Sequence, residues 1–448
     1  MTVNLSLVLT LWFTGFLVYR LFFHPLAGIP GPFICKITGL WRTYRYFNMT
    51  WHDDIVNLHR AYGPVVRIAP NEASIVDAGA QKKLYSHGSK ARKTSWYDTW
   101  STSVPVPVFF SETDTKIHGA LRRRVSAAFS MSSILKYEKY VQSCLDVCYG
   151  KIRKHAEAGR IIDMSEWTHM LTFDIVGELT FGQALGQMET ETDLDDVRKT
   201  NTSDIYWAGN LGHMWLQSRW VNNLVVEWLN AGSPAARFSA WVFEKVIMRK
   251  EGRDGSDRED MLSHFLKMKP LGTNKALEDI EVVVESANVV GAGADTTAIG
   301  MRSCLYFILQ NPSVYQRLQK EIDDYYVSAN LQQPISFQQT QELPYLKSVI
   351  AEATRLYPSI VYQLLRHVPD GGMEVNGHFL PAGTPVGMSP IAANRDKAIW
   401  GEDADVFLPE RWLEDPERST YLESYNMTYG GHGSRACIGR NLALVSTD

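Results

Sequence analysis

The feature that most restricts this chain is the run Tyr429-Gly430-Gly431-His432-Gly433-Ser434-Arg435-Ala436-Cys437-Ile438-Gly439-Arg440-Asn441-Leu442-Ala443-Leu444. A single cysteine sits in a glycine-rich loop, two residues after an arginine, and an apolar helical run follows it. Glycines at 430, 431 and 433 let the backbone take φ > 0 turns and come close to something flat. Gly439 lets the following helix start lie against the same object. A thiolate at a helix N-terminus, ringed by backbone N–H groups, is stabilised as the anion that a metal–sulfur bond needs. Arg435 places a permanent positive charge in the loop, suited to a carboxylate on the bound object. A free buried cysteine beside a turn is the simpler reading of such a loop taken alone. The decision therefore rests on the rest of the chain.

Three other constellations bear on it. Gly291-Ala292-Gly293-Ala294-Asp295-Thr296-Thr297 lies inside a helical run, where two glycines and two threonines together cost helix stability. Glycine there clears space for a ligand, and a threonine hydroxyl can bond a carbonyl of the preceding turn. Glu352 and Arg355 lie three apart on an otherwise apolar helix, Pro344 to Leu356, which argues for a buried pair that needs further partners. His118 and Arg122 are i and i+4 at the start of a basic helix and share one face.

Together these stretches resemble the cytochrome P450 family. The haem-loop pattern F-x-x-G-x-R-x-C-x-G is matched at Gly433, Arg435, Cys437 and Gly439 and departs at the aromatic position, which is Gly430, with Tyr429 one residue earlier. The oxygen-activation pattern is matched at Ala292, Gly293, Asp295, Thr296 and Thr297. The ExxR pattern falls on Glu352 and Arg355, and its third member would be Arg411 in Phe407-Leu408-Pro409-Glu410-Arg411-Trp412. The order of the motifs is that of the family. The resemblance implies a b-type haem with Cys437 as axial thiolate. It also implies that Thr296 holds dioxygen and water by hydrogen bonds while Asp295 relays protons. His118 and Arg122 resemble the family's W-x-x-x-R contact to the haem propionates, with histidine in place of tryptophan, and Arg366 is a further candidate. Arg123 and Arg124 point elsewhere, toward solvent or an acidic electron-donor protein.

The remaining chain agrees with a single catalytic body. Composition is ordinary globular, 45% apolar and 21% charged, and a net charge of −4 gives no argument for nucleic acid as partner. Five cysteines without a CxxC pair exclude a disulfide scaffold or a zinc ribbon and fit a reducing compartment. No phosphate loop or G-x-G-x-x-G motif is present, so electrons must come from a separate protein. Leu5 to Phe23 holds one charge, Arg20, and as a helix spans roughly 28 Å, about one hydrocarbon core. Lys36, Arg42 and Arg45 follow it, a bias that keeps the C-terminal bulk cytosolic. His24 to Pro32 is rich in proline and glycine and reads as a stiff hinge. Residues 63–79 and 373–388 read as strands with turns at Pro70-Asn71 and Asn376-Gly377. Helical patterns cover His118–Phe129, Ile134–His155, Ser165–Phe181, Ala235–Lys250, Ile280–Gln310 and Val314–Asn330. Residues 201–220, rich in Trp and Tyr, read as a mobile lid or an aromatic helix. Arg253 to Asp260 reads as a solvated surface loop.

The expected fold class is thus mainly α with a small β part, the cytochrome P450 fold preceded by one transmembrane helix. Its parts would be an anchor at 1–23, a Pro/Gly hinge at 24–33 and a catalytic domain at 34–448. The resemblance implies a haem-thiolate monooxygenase of the endoplasmic reticulum membrane, single-pass and facing the cytosol. It would take electrons from NADPH–cytochrome P450 reductase and hydroxylate or epoxidise a hydrophobic small molecule in fungal secondary metabolism. Apolar segments at Ser101–Phe110, 204–220, Ala287–Val290 and Ser359–Leu364 would face that substrate. Only 11 residues follow Cys437, whereas family members continue with a long helix and a β-hairpin. A second expectation is therefore a truncated, non-catalytic haem-binding protein. A third, a haem-thiolate isomerase that rearranges a peroxide, is disfavoured by the Asp295-Thr296 pair.

Overall fold

The expected helices form, most within three residues of their expected ends, with His118–Phe129 shifted to Thr115–Val125. The computed structural model describes residues 5–100, 106–212, 234–254, 258–269, 276–331 and 334–447. Among the longer helices, α1 is Leu5–Val18, α2 Trp51–Tyr62, α3 Ala78–Tyr85, α4 Thr115–Val125, α5 Met131–Glu157 and α6 Met164–Phe181. Then come α7 Val197–Leu211, α8 Pro234–Lys250, α9 Asp279–Gln310, α10 Pro344–Leu356 and α11 Arg440–Thr447. Seven short strands complete the body: β1 Val65–Ala69, β2 Glu72–Ile75, β3 Arg92–Lys93, β4 Arg366–His367, β5 Met373–Val375, β6 His378–Leu380 and β7 Pro385–Gly387. Five form one sheet in the order β1-β2-β7-β4-β3, and β5 pairs β6 across Asn376-Gly377, both at positive φ. The part of 201–220 that is described continues α7 to Leu211; 213–220, like 101–105 of the expected substrate-facing stretch, lies outside the described residues.

Helix α9 is the spine. A capping box between Glu278 and Glu281 starts it, and it runs unbroken through the Gly/Thr stretch. Packing supplies what propensity withholds there. Val282, Val283, Val289, Val290, Ala294 and Ala298 are buried, and a Cβ at Gly293 would stand 3.3 Å from Val176 of α6. Small residues thus bring α6 and α9 close, and α8, α10 and α11 pack on the same helix. The main core joins Phe173, Ile175 and Leu179 of α6 to Val290 and Ala294 of α9 and Leu442 of α11.

Helix α1 continues as a π-helical turn, Tyr19–Phe23, with no residue buried. Together they form one 19-residue helix of mean hydropathy 1.7, long and apolar enough to cross a membrane. The segment after it is tied to the body. Leu26 and Ile29 are buried in the core under the sheet, and the Arg67 guanidinium of β1 donates to the Leu26 and Pro70 carbonyls. Gly31 abuts the Arg67 carbonyl so closely that a Cβ would stand 2.4 Å from its oxygen.

Two surface expectations are also corrected. Arg124 does not face solvent: its guanidinium is buried against α9, 2.9 Å from Glu281 and 2.6 Å from Glu285. Arg123 alone of that pair is exposed. Within Arg253 to Asp260, Asp260 is buried and takes Arg249 at 2.8 Å, while Arg258 reaches Glu178 at 2.6 Å. These charges tie α6 and α8 together rather than solvate a loop.

Candidate active site

The cysteine loop is shaped by backbone bonds. Gly430 donates to the Met427 carbonyl, Cys437 to the Tyr429 carbonyl and Ala436 to the Gly433 carbonyl, all within 2.9–3.0 Å. Gly430 and Gly431 take φ +75° and +88°, which a side chain would strain. Gly433 is required for another reason. A Cβ there would stand 2.5 Å from the Tyr85 carbonyl and 2.7 Å from that of Ser86, at the end of α3. Beside Gly439 the only atom within 4 Å of such a Cβ is the Cys437 sulfur, so that side of the loop is open. Cys437 is itself exposed, although protein packs densely around it. That burial pushes its thiol up; the backbone N–H groups of Gly439 and Arg440 and the charge of Arg122 pull it back down.

The loop rests on a buried charge network. Glu352 accepts both Nε and Nη2 of Arg355 at 2.8 Å and Nε of Arg411 at 3.2 Å. Its carboxylate also takes the Leu408 N–H at 3.1 Å and the Trp412 indole at 3.0 Å. Arg355 spends its remaining fork on the Asn394 and Ala404 carbonyls, and Arg411 on Trp400 and Asp403. Every charge is partnered, which is the condition for burying an ion network at tolerable cost. Asn394 then passes the geometry on: its side chain donates to the Arg355 carbonyl at 3.2 Å and accepts the Met427 N–H at 2.8 Å.

A second group of charges is built differently. His118, Lys93, Arg366 and Arg435 crowd one region with Arg122, and burial together with mutual repulsion acts on them. His118 is buried, and desolvation with the charges of Arg435, Lys93, Arg122 and Arg366 drives its imidazole down to about 3. Lys93 is pushed well below its ordinary range by burial, then by Arg366, Arg435 and Arg122. Arg435 falls to about 10 for the same two reasons, burial first. Their hydrogen bonds go to neutral oxygens: Arg435 to the Glu112 carbonyl at 2.6 Å, Arg366 to the Tyr97 hydroxyl at 3.0 Å, Lys93 to the Phe110 carbonyl. Among the described residues none of the four cations makes an ion pair. Lys93 and Arg366 are buried and Arg122 and Arg435 half-buried; desolvated cations without anions are expensive, so the cluster fits a ligand that carries carboxylates. With the open thiol of Cys437 nearby, the donor set suits a haem and its two propionates.

The structure therefore brings His118, Arg122, Gly433, Arg435, Cys437 and Gly439 together. Arg366 joins them, and so does Lys93, which sequence reasoning missed because a lone lysine on a two-residue strand carries no pattern. Thr296 and Asp295 are neighbours in α9 that look different ways. The Thr296 hydroxyl donates to the Ala292 carbonyl at 2.7 Å, the back-bond expected from its sequence context, and its own carbonyl accepts Ser359 at 2.6 Å. Asp295 is buried against α6 and α7.

A haem-thiolate oxygenase is the class these features define. The chain belongs to the cytochrome P450 family, whose model matches residues 29–447. It is 34% identical to a cytochrome P450 monooxygenase of Aspergillus terreus, over 94% of this chain and 87% of that protein. It is 32% identical to pisatin demethylase of Fusarium vanettenii, over 97% and 84%, and 31% identical to cytochrome P450 monooxygenase cicH of Emericella nidulans, over 98% and 90%. The family works with haem, a redox partner and a small-molecule substrate, and the chain is a monooxygenase of that kind.

Proposed function

We propose that the chain binds haem b through Cys437 and uses it to hydroxylate or epoxidise a hydrophobic small molecule of fungal secondary metabolism. The observation that carries this reading is the pairing of a thiol under two backbone N–H groups with four basic side chains, Lys93 and Arg366 buried and Arg122 and Arg435 half-buried, that make no ion pair among the described residues. His118, Lys93, Arg122, Arg366 and Arg435 would hold the propionates. Gly433 and Gly439 keep the loop close and the space beside the sulfur clear. When bound, haem supplies the activation of dioxygen with electrons from NADPH–cytochrome P450 reductase. Thr296 orients dioxygen and water by its hydroxyl, and Asp295 moves protons. Relatives named monooxygenases and a demethylase support oxidation of a C–H bond or an alkene.

The apolar helix Leu5–Phe23 and the basic residues after it support a single-pass anchor in the endoplasmic reticulum membrane with a cytosolic body. The test is a reduced carbon-monoxide difference spectrum of the chain in yeast microsomes, beside Cys437→Ser. The red-shifted band of a thiolate-ligated haem, lost in the variant, is expected. Its absence from both would remove Cys437 as the ligand and the monooxygenase reading with it.

A further inference from the structure

We infer that His169 of α6 is the group through which Asp295 takes up its proton, a role that rests on the relay proposed above for Asp295 and Thr296. Asp295 stands at mid-length in α9, and its carboxylate is held by side chains of α6 and α7, whereas the neighbouring Thr296 hydroxyl bonds within α9. Oδ1 lies 3.1 Å from His169 Nε2. Oδ2 accepts the Asn201 amide at 2.7 Å, and the Thr202 hydroxyl stands 3.4 Å from both oxygens. Asn201 also donates to the Gly291 carbonyl at 3.1 Å, so one side chain of α7 clamps the carboxylate to the helix turn that precedes it.

Of these three contacts only one can carry a proton through. An amide has no proton to give at neutral pH, and a threonine hydroxyl passes one only if another group supplies it. Imidazole takes a proton on one ring nitrogen while releasing one from the other. The His169 side chain is 15% exposed while that of Asp295 is 8% exposed, so the ring has the readier access to water. Its charged neighbours are already engaged. One turn earlier on α6, Glu166 pairs with Arg198 of α7 at 2.6 Å, and Arg302 of α9 donates to Ser165 at 2.6 Å. Asp295 is the only carboxylate on His169 among the described residues.

The step balances simply. Nδ1 gains a proton from a hydronium ion of the solvent, which leaves as water; the Nε2–H bond breaks, and that proton passes to Asp295 Oδ1. The ring is left neutral as the other tautomer and the carboxylate becomes a neutral acid; proton exchange with solvent then restores the Nε2–H tautomer. Having lost its charge, the acid holds the Asn201 amide less tightly and can turn toward Thr296, where it gives the proton up. One proton enters and one leaves; no electron moves.

The experiment needs no knowledge of the substrate. Purified haem-loaded chain is reduced by NADPH and reductase in air, and dioxygen leaves either as superoxide, which requires no proton, or as hydrogen peroxide, which requires two. Superoxide is caught with a spin trap. His169→Gln keeps a donor to Asp295 but cannot shuttle a proton. The expected result is a peroxide-to-superoxide ratio lowered roughly tenfold, with a larger solvent deuterium effect on peroxide formation, and the same in His169→Phe. In ¹⁵N-histidine spectra, Asp295→Asn should move the His169 Nε2 resonance while Thr296→Ala leaves it in place. If His169→Gln behaves as the parent while His169→Phe fails, or if His169→Gln loses haem, the residue is a structural tie and the inference is overturned. If Asp295→Asn also keeps the parent ratio, the relay reading fails with it.

Discussion

Two clusters of buried charge lie within one fold and obey opposite rules. Around Glu352 every donor of Arg355 and Arg411 has an acceptor, and the carboxylate is saturated by four groups. Around Arg435 four cations and a histidine repel one another and settle for carbonyls and a hydroxyl. The first cluster is complete; the second makes no ion pair among the described residues, with only the more distant Glu112 carboxylate acting on Arg435 and Lys93. The difference separates charges kept for architecture from charges kept for a ligand.

The largest effect that would break this contrast is expected at Glu352. Glu352→Gln leaves buried Arg355 without a carboxylate and Arg411 with Asp403 alone, and should cost about 3–5 kcal/mol, read as a lower denaturant midpoint or loss of soluble protein. A parent-like midpoint would put the network on the same footing as the cation cluster. Arg435→Leu should act with two signs. Haem transfer to an acceptor protein should accelerate about tenfold or more, as expected for loss of a charged hydrogen bond of about 1.5–3 kcal/mol. After haem extraction the same variant should resist unfolding at least as well as the parent. A lower midpoint in the haem-free state would show that Arg435 is architectural after all.

The smallest effect concerns a third way of burying a titratable group, as the neutral form. His59 Nδ1–H donates to the Gly63 carbonyl and Nε2 meets the Ser74 hydroxyl, and burial lowers its imidazole from 6.5 to about 4. Between those values the unfolded chain binds a proton that the folded chain refuses. Stability should thus fall as pH drops from about 6.5 to about 4, by at most about 1.4 kcal/mol per pH unit. His59→Gln should flatten that slope in urea titrations at several pH values; an unchanged slope would assign it to other groups.

Much of this was legible in the sequence because it is local or periodic. The helices Met131–Glu157, Met164–Phe181, Pro234–Lys250 and Asp279–Gln310 follow apolar spacing, the β1–β2 turn follows Pro70-Asn71, and the Glu352–Arg355 pair follows its apolar helix. Arg411 and the cysteine loop were reached through the family's motif order. What escaped depends on partners distant in sequence. Arg124 reads as surface until α9 brings Glu281 and Glu285 to it. Asp260 and Arg258 read as a solvated run until Arg249 and Glu178 meet them. Lys93 has no pattern of its own, and His169 gains meaning only when α6 and α9 pack closely enough to place it on Asp295.

The welded segment after the apolar helix has a mechanical consequence. A domain carried on a flexible tether sweeps a volume that grows with tether length. Here only His24 and Pro25 separate the last residue of that helix from the first buried residue of the core, and even these are not slack. His24 and Arg20 both reach the Asn71 side chain at the tip of the β1–β2 turn, at 3.0 and 3.3 Å. Helix and sheet therefore move as one lever arm. Were that helix to enter a bilayer, as proposed above, its tilt would set the tilt of the body joined to it.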